Sequence, residues 1–216
     1  MTSGRRSKKG SWTEVCGATT KIERDILCHI RTSYSVIRTS YSTSMKTDQI
    51  YHKLVKGLRD YAKDHGFHKA VVGLSGGIDS SATFKIAVDA LGSQNVITLI
   101  LPELGVSSEE NIKHAKALAD YFHVKSFYQP INTMVMDFGI APWKPNRTAQ
   151  MNTKARIRAV LLYSYANTEN ALVLGTSNKS ELLLGYGTKY GDLAADVEVL
   201  GNLYKTEVYA LAEYLE

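Results

Sequence analysis

Gly73-Leu74-Ser75-Gly76-Gly77-Ile78-Asp79-Ser80 follows the apolar run Ala70-Val71-Val72 and leads into a segment of helical spacing. Adjacent glycines let backbone N–H groups approach an anion without interference from Cβ atoms, and the following helix adds the positive end of its dipole. The hydroxyls of Ser75, Ser80 and Ser81 can add donors. The stretch does not end in the Lys-Ser/Thr of G-x-x-x-x-G-K-[ST], and its glycines do not match G-x-G-x-x-G, so neither of those phosphate-binding fingerprints applies. On these residues alone, an ordinary strand-to-helix turn with glycines for tight geometry stays open.

The pattern on both sides is an alternation of strand and helix. Upstream, Ile50, Leu54, Leu58 and Tyr61 share one helical face from Thr47 onward, and Gly66 ends that segment. Downstream come a helix over 79–91, a fully apolar strand over 96–101, and an amphipathic helix over 107–122 that opens with the capping box Ser107-x-x-Glu110. A weaker strand over 125–131 follows, then a long loop over 132–150 with Gly139, Pro142, Trp143 and Pro145. Helical spacing resumes over 152–166, Ala171-Leu172-Val173-Leu174 is the last clear strand, residues 185–202 read as irregular, and a helix closes the chain over 204–215. The alternation predicts an α/β fold: a doubly wound parallel sheet of about five strands with helices on both faces. Ligands of such sheets sit beyond the carboxyl ends of the strands, where both the opening loop and Thr176 fall.

Composition sets bounds on function. The 216 residues include 44% apolar ones, enough for one sizeable domain. The net charge of +5 is uneven: residues 1–46 carry nine Lys/Arg against three Asp/Glu, and residues 47–216 carry seventeen against eighteen. The globular part therefore lacks the basic surface of a nucleic-acid binder. Residues 1–46, with Ile30-Arg31-Thr32-Ser33-Tyr34-Ser35 repeated as Ile37-Arg38-Thr39-Ser40-Tyr41-Ser42, read as a basic, mobile extension with a short helix over 22–30. Cys16 and Cys28 form no C-x-x-C pair and the six histidines show no metal-ligand spacing, which fits a reducing, cytoplasmic setting. No run of eighteen apolar residues marks a membrane span.

Four motifs in order then carry a family resemblance: Ser75-Gly76-Gly77-Ile78-Asp79-Ser80, Asn152-x-x-Ala155-Arg156-x-Arg158, Gly175-Thr176-Ser177-Asn178-x-x-Glu181 and Thr188-Lys189-Tyr190-Gly191-Asp192-x-x-x-Asp196. The first resembles the S-G-G-x-D-S loop of the ATP pyrophosphatases, and together, over about residues 47–216, they resemble the NAD synthetase domain. The resemblance implies a Rossmann-like, adenine nucleotide alpha hydrolase-like fold. It implies ATP-dependent adenylation of the nicotinate carboxylate of deamido-NAD, with loss of pyrophosphate, then displacement of AMP by ammonia. It also implies Mg²⁺ and a homodimer.

By this resemblance Gly73, Leu74, Ser75, Gly76, Gly77, Ile78, Asp79, Ser80, Thr176 and Lys205 contact ATP. Asp79 and Glu181 hold Mg²⁺, and Asp79, Glu181 and Lys205 form the catalytic set. Arg156, Lys189 and Asp196 bind deamido-NAD. Mg²⁺ favours one or two carboxylates completed by phosphate oxygens and water, which Asp79 and Glu181 satisfy. Local readings remain beside these. Asn178-x-x-Glu181 is also a helix cap, Asp79 also complements a helix dipole, and each of the other charges is an ordinary surface residue when taken alone. Arg156 and Arg158 point about 200° apart on a helix, so only one readily faces a cleft. The matching position is Arg156, which leaves Arg158 as structural or a phosphate partner.

The resemblance also predicts a later Ser/Thr for ATP and a terminal His-Lys pair that this sequence does not contain, so a C-terminally truncated domain is expected. The 46 upstream residues are too few for the amidohydrolase domain of the glutamine-dependent branch, which favours ammonia as donor. Two alternatives stay in view: an ATP pyrophosphatase that amidates or thiolates another acceptor, and a catalytically silent nucleotide-binding module.

Overall fold

A computed structural model describes residues 35–36 and 46–215; the direct repeat, the 22–30 helix, Cys16 and Cys28 lie outside the described residues, apart from Ser35 and Val36 within the repeat region. The elements in chain order are β1 (Ser35–Val36), α1 (Thr47–Asp64), β2 (Lys69–Gly73), α2 (Ile78–Leu91), β3 (Val96–Ile100), α3 (Glu109–Tyr121), β4 (Lys125–Tyr128), α4 (Asn132–Asp137), α5 (Arg147–Glu169), β5 (Ala171–Gly175), α6 (Lys179–Leu184), β6 (Val197–Glu198) and α7 (Lys205–Leu215).

The strands form one sheet in the order β1-β6-β5-β2-β3-β4, every neighbouring pair parallel. Side chains alternate along the central strands β2, β3 and β5, which are covered on both sides. Ala70, Val72, Val96, Ile100, Leu172 and Leu174 face one core with α1, α2 and α7; Val71, Ile97, Leu99 and Val173 face the other with Ile157 and Ala166 of α5. The near-continuous apolar runs of β2, β3 and β5 are what burial on two faces requires. This is the doubly wound parallel sheet expected from the alternation. It is extended beyond the four strands read from the sequence by β6, inside the stretch read as irregular, and by β1, whose two residues pair with it.

From β2 the chain winds outward through β3 to β4, then returns to the other side of β2 as β5. The β2/β5 boundary is therefore the topological switch point, and the loops leaving both strands diverge to open a crevice. The 132–150 stretch is not a long loop: it contains α4, a 3₁₀ turn at Phe138–Ile140 and the first turn of α5, capped by the Asn146 side chain, which accepts from Ala149 N at 2.8 Å. The N-cap of α3 is Ser108, which accepts from Asn111 N at 3.4 Å, whereas the Ser107 hydroxyl accepts from Glu103 N at 3.0 Å and braces the preceding turn. Two neighbouring serines compete for one cap, and only the backbone path selects between them.

Candidate active site

The glycine loop leaves β2 at the switch point and is braced by its own serines. Ser75 N donates to Ser80 Oγ at 3.2 Å, the two hydroxyls lie 2.9 Å apart, and Ser80 Oγ donates to Gly77 O at 2.9 Å. Gly76 has φ +82°, and a Cβ there would meet the Asn111 carbonyl oxygen at 2.0 Å. Gly77 caps α2 without a side-chain acceptor, so the first N–H groups of the helix and its positive dipole end stand beside the glycine loop.

Asp79, in the first turn of α2, is where the separated motifs meet. Its Oδ1 accepts from Asn178 Nδ2 at 3.0 Å, and its Oδ2 is ion-paired with Lys205 Nζ from the start of α7. Asn178 also caps α6 in a reciprocal box: its Oδ1 accepts from Glu181 N, and its own N–H donates to Glu181 Oε2, both at 3.1 Å. The cap reading of Asn178-x-x-Glu181 is thus realised, and it brings Glu181 to the same cluster. Burial pushes the Glu181 carboxyl above its usual range; the Asn178 N–H opposes this, the nearby Asp79 charge adds to it and Lys205 opposes it. Asp79 and Glu181 thus put two carboxylates beside the glycine loop, the donor type that a hard divalent cation takes.

The crevice has a volume of about 460 Å³ and runs from Gly73, Leu74 and Ser75 to Gly175 and Thr176, with α5 as its other wall. Ile100, Leu101, Ile112, Leu162 and Leu174 make one part apolar. Of the residues expected to contact a dinucleotide, none lines it. Arg156 is exposed and its Nε donates to Lys189 O at 3.2 Å, so these two sit together outside the crevice. Asp196 accepts from Val173 N at 2.8 Å and from the Tyr163 hydroxyl at 3.3 Å, and borders a separate cavity with Asn170 and Tyr61. The arginine in the crevice wall is Arg158.

Three further residues, Glu198, Lys154 and Glu103, carry no signal in the motifs. Glu198 on β6 is fully buried beneath the loop after β5, where its Oε2 accepts from Ser177 N at 2.9 Å. Burial pushes its carboxyl up to about 8. A Cβ on Gly175 would meet that carboxyl at 2.3 Å, so the glycine makes room for it. Lys154 and Glu103 pair at 2.7 Å across α5 and the loop after β3. Lys154 and Arg158 are four apart on α5, with Ala155 and Ala159 beside them, a spacing that places all four on one face and could have marked that face as a cleft wall.

A parallel sheet with a glycine loop at its switch point and a carboxylate–lysine cluster beside it is the architecture of the nucleotide-binding α/β class. Residues 50–216 match the family model described as NAD synthase, and the chain belongs to that family. The chain is 44% identical over 172 residues to the NH₃-dependent NAD⁺ synthetase of Methanocaldococcus jannaschii, an alignment that covers 78% of this chain and 66% of the relative. Among solved structures it is similar to the NH₃-dependent NAD synthetase of Campylobacter jejuni in complex with the nitrate ion (TM-score 0.75, 39% identity, 79% of this chain and 74% of that one). It is also similar to the NMN synthetase of Francisella tularensis (TM-score 0.75, 32% identity, 80% and 71%). The chain thus spans about two thirds of the length of curated relatives such as the M. jannaschii protein.

Proposed function

We propose that the protein amidates deamido-NAD to NAD, using ATP and ammonia. The observation that supports this reading is the convergence of Asp79, Asn178, Glu181 and Lys205 at the mouth of the glycine loop. A carboxylate is a poor acyl donor, so its oxygen must become part of a good leaving group. An oxygen of the nicotinate carboxylate attacks the α-phosphorus of ATP, the bond to pyrophosphate breaks, and an acyl-adenylate forms. Ammonia then adds to the acyl carbon, AMP departs with its oxygen, and the nitrogen releases its one surplus proton to water.

Neither step needs a protein nucleophile; both need stabilised phosphate charge. The N–H groups around Gly76 and Gly77 and the α2 N-terminus receive the departing pyrophosphate, Lys205 supplies a mobile cation to the same oxygens, and the Thr176 hydroxyl reaches the nucleotide from the β5 end. Asp79 and Glu181 would hold Mg²⁺, which when bound neutralises phosphate charge and polarises the phosphoryl oxygens. Arg156, Lys189 and Asp196, away from the crevice, would contribute to the dinucleotide site from outside it. A second copy of the chain would complete that site: Met136, Phe138, Ile140, Trp143 and Val160 form an exposed apolar stretch suited to a homodimer interface. A cytoplasmic setting, where ATP is abundant, fits this chemistry. No helix among the described residues is long and apolar enough to cross a membrane.

The test is direct. Protein incubated with ATP, Mg²⁺, ammonium and deamido-NAD should yield NAD, AMP and pyrophosphate in equal amounts. Nicotinate mononucleotide and xanthosine monophosphate, offered separately, distinguish a mononucleotide or purine acceptor. No product with deamido-NAD in a folded sample would sink the proposal.

A further inference from the structure

Arg158 sits in the wall of the nucleotide crevice in an unusual electrostatic position. Its Nε donates to Leu101 O at 2.9 Å, at the carboxyl end of β3, which anchors the stem of the guanidinium group. The acidic groups nearest to it are already engaged: Glu103 pairs with Lys154 at 2.7 Å, and Asp192 Oδ1 accepts from Thr188 N at 2.8 Å. Among the described residues no carboxylate lies within ion-pairing distance of Arg158, and Leu101 O is its hydrogen-bond partner. Burial pushes the guanidinium below its usual range, against the weaker pull of Glu103 and Asp192.

A half-buried cation without a counter-ion is costly unless a ligand supplies one. The guanidinium presents a planar fork of donors, and with Nε used its two terminal nitrogens stay available to the crevice. Arg156 has no such standing, being exposed and tied to the Lys189 carbonyl.

We propose that Arg158 is the residue of the crevice that binds an oxyanion of the reactants, a phosphate of ATP or a charged group of the acyl acceptor, through its two terminal nitrogens. The inference rests on the reading that this crevice holds the nucleotide reaction, and it adds Arg158 inside the crevice to Arg156 outside it.

Arg158→Ala and Arg158→Lys are compared with the wild type in steady-state assays with ATP and deamido-NAD varied in turn, in thermal melts, and in calorimetric titration with each reactant alone. The expected result for Arg158→Ala is a loss of about 10- to 100-fold in kcat/KM for one reactant, the scale of a hydrogen-bonded charge contact. Added guanidinium at sub-denaturing concentration should recover part of it. Arg158→Lys, which keeps the charge but not the fork, should fall between. A loss confined to ATP identifies the phosphate as the anion, and a loss confined to deamido-NAD identifies the acceptor; either supports the proposal. Kinetics within about threefold of the wild type for both reactants, or a loss that follows a fall in melting temperature and is not recovered by guanidinium, would overturn it. If Arg158→Ala does not fold, Arg158→Lys decides on the same criteria. A wild type that binds a reactant but makes no NAD overturns the proposed activity alone, with Arg158 then judged by the titrations; a wild type that binds neither overturns both.

Discussion

The side-chain amide of Asn178 donates to Asp79 Oδ1 at 3.0 Å, joining residues 99 positions apart. The same side chain caps α6 and thereby sets the position of Glu181, so one buried residue fixes the spacing of both carboxylates. Replacing Asn178 with Ala should cost about 1 kcal/mol for the cap. It should cost more for the polar groups left without partners, about 1–3 kcal/mol. Separately, it should raise the Mg²⁺ concentration needed for half-maximal activity, because Asp79 loses its orientation. Denaturant unfolding reads the first effect and a Mg²⁺ titration at saturating ATP reads the second; an unchanged Mg²⁺ requirement would remove the positioning role.

Lys205 and Asp79 pair beside the glycine loop with side chains 33% and 20% exposed, so the pair itself should contribute about 1 kcal/mol or less to stability. Its value lies in the phosphate site. Lys205→Met should melt near the wild type yet release pyrophosphate about 10²-fold more slowly, the usual cost of removing one preorganised donor from developing negative charge. Asp79→Ala should also lose pyrophosphate release, and a variant rate equal to the wild type would exclude Asp79 as a metal ligand.

Gly76→Ala combines a left-handed backbone, φ +82°, with a methyl 2.0 Å from the Asn111 carbonyl oxygen. That oxygen belongs to the α3 backbone and cannot swing aside. The expected destabilisation is about 2–5 kcal/mol, adding backbone strain to overpacking. Urea midpoints check it, and a shift below about 1 kcal/mol would show that the loop is free to move away from α3.

The Glu198 carboxyl, pushed up to about 8 by burial, binds its proton more tightly in the folded chain than in the unfolded one. Its contribution to stability is therefore complete below the unfolded value near 4.5 and is lost as pH rises through about 8. Over that window the slope approaches about 1.4 kcal/mol per pH unit. Glu198→Gln, neutral throughout, should flatten this dependence and gain on the wild type as pH rises. Parallel pH–stability curves for the two proteins would contradict the assignment.

Much of this architecture is legible in one dimension. Apolar runs at 70–72, 96–101 and 171–174 alternate with helical spacing, and that period alone calls for buried parallel strands. The missed parts are those where periodicity carries little information. The two-residue β6 is too short to show a period, and the α4 and early α5 segment is punctuated by prolines that read as loop. The Ser107/Ser108 cap depends on backbone direction rather than residue type.

By itself the sequence determined the glycine loop, the α/β alternation and the residue types able to hold phosphate and metal, because these follow from local backbone freedom and side-chain chemistry. Tertiary structure alone decided which of them meet. The return of the chain from β4 to β5 on the far side of β2 brings Asn178 to Asp79, and the start of α7 brings Lys205 to the same carboxylate. The rotation of α5 about its axis turns Arg158 into the crevice and Arg156 out of it. Burial, which no single residue type encodes, makes a neutral acid of Glu198.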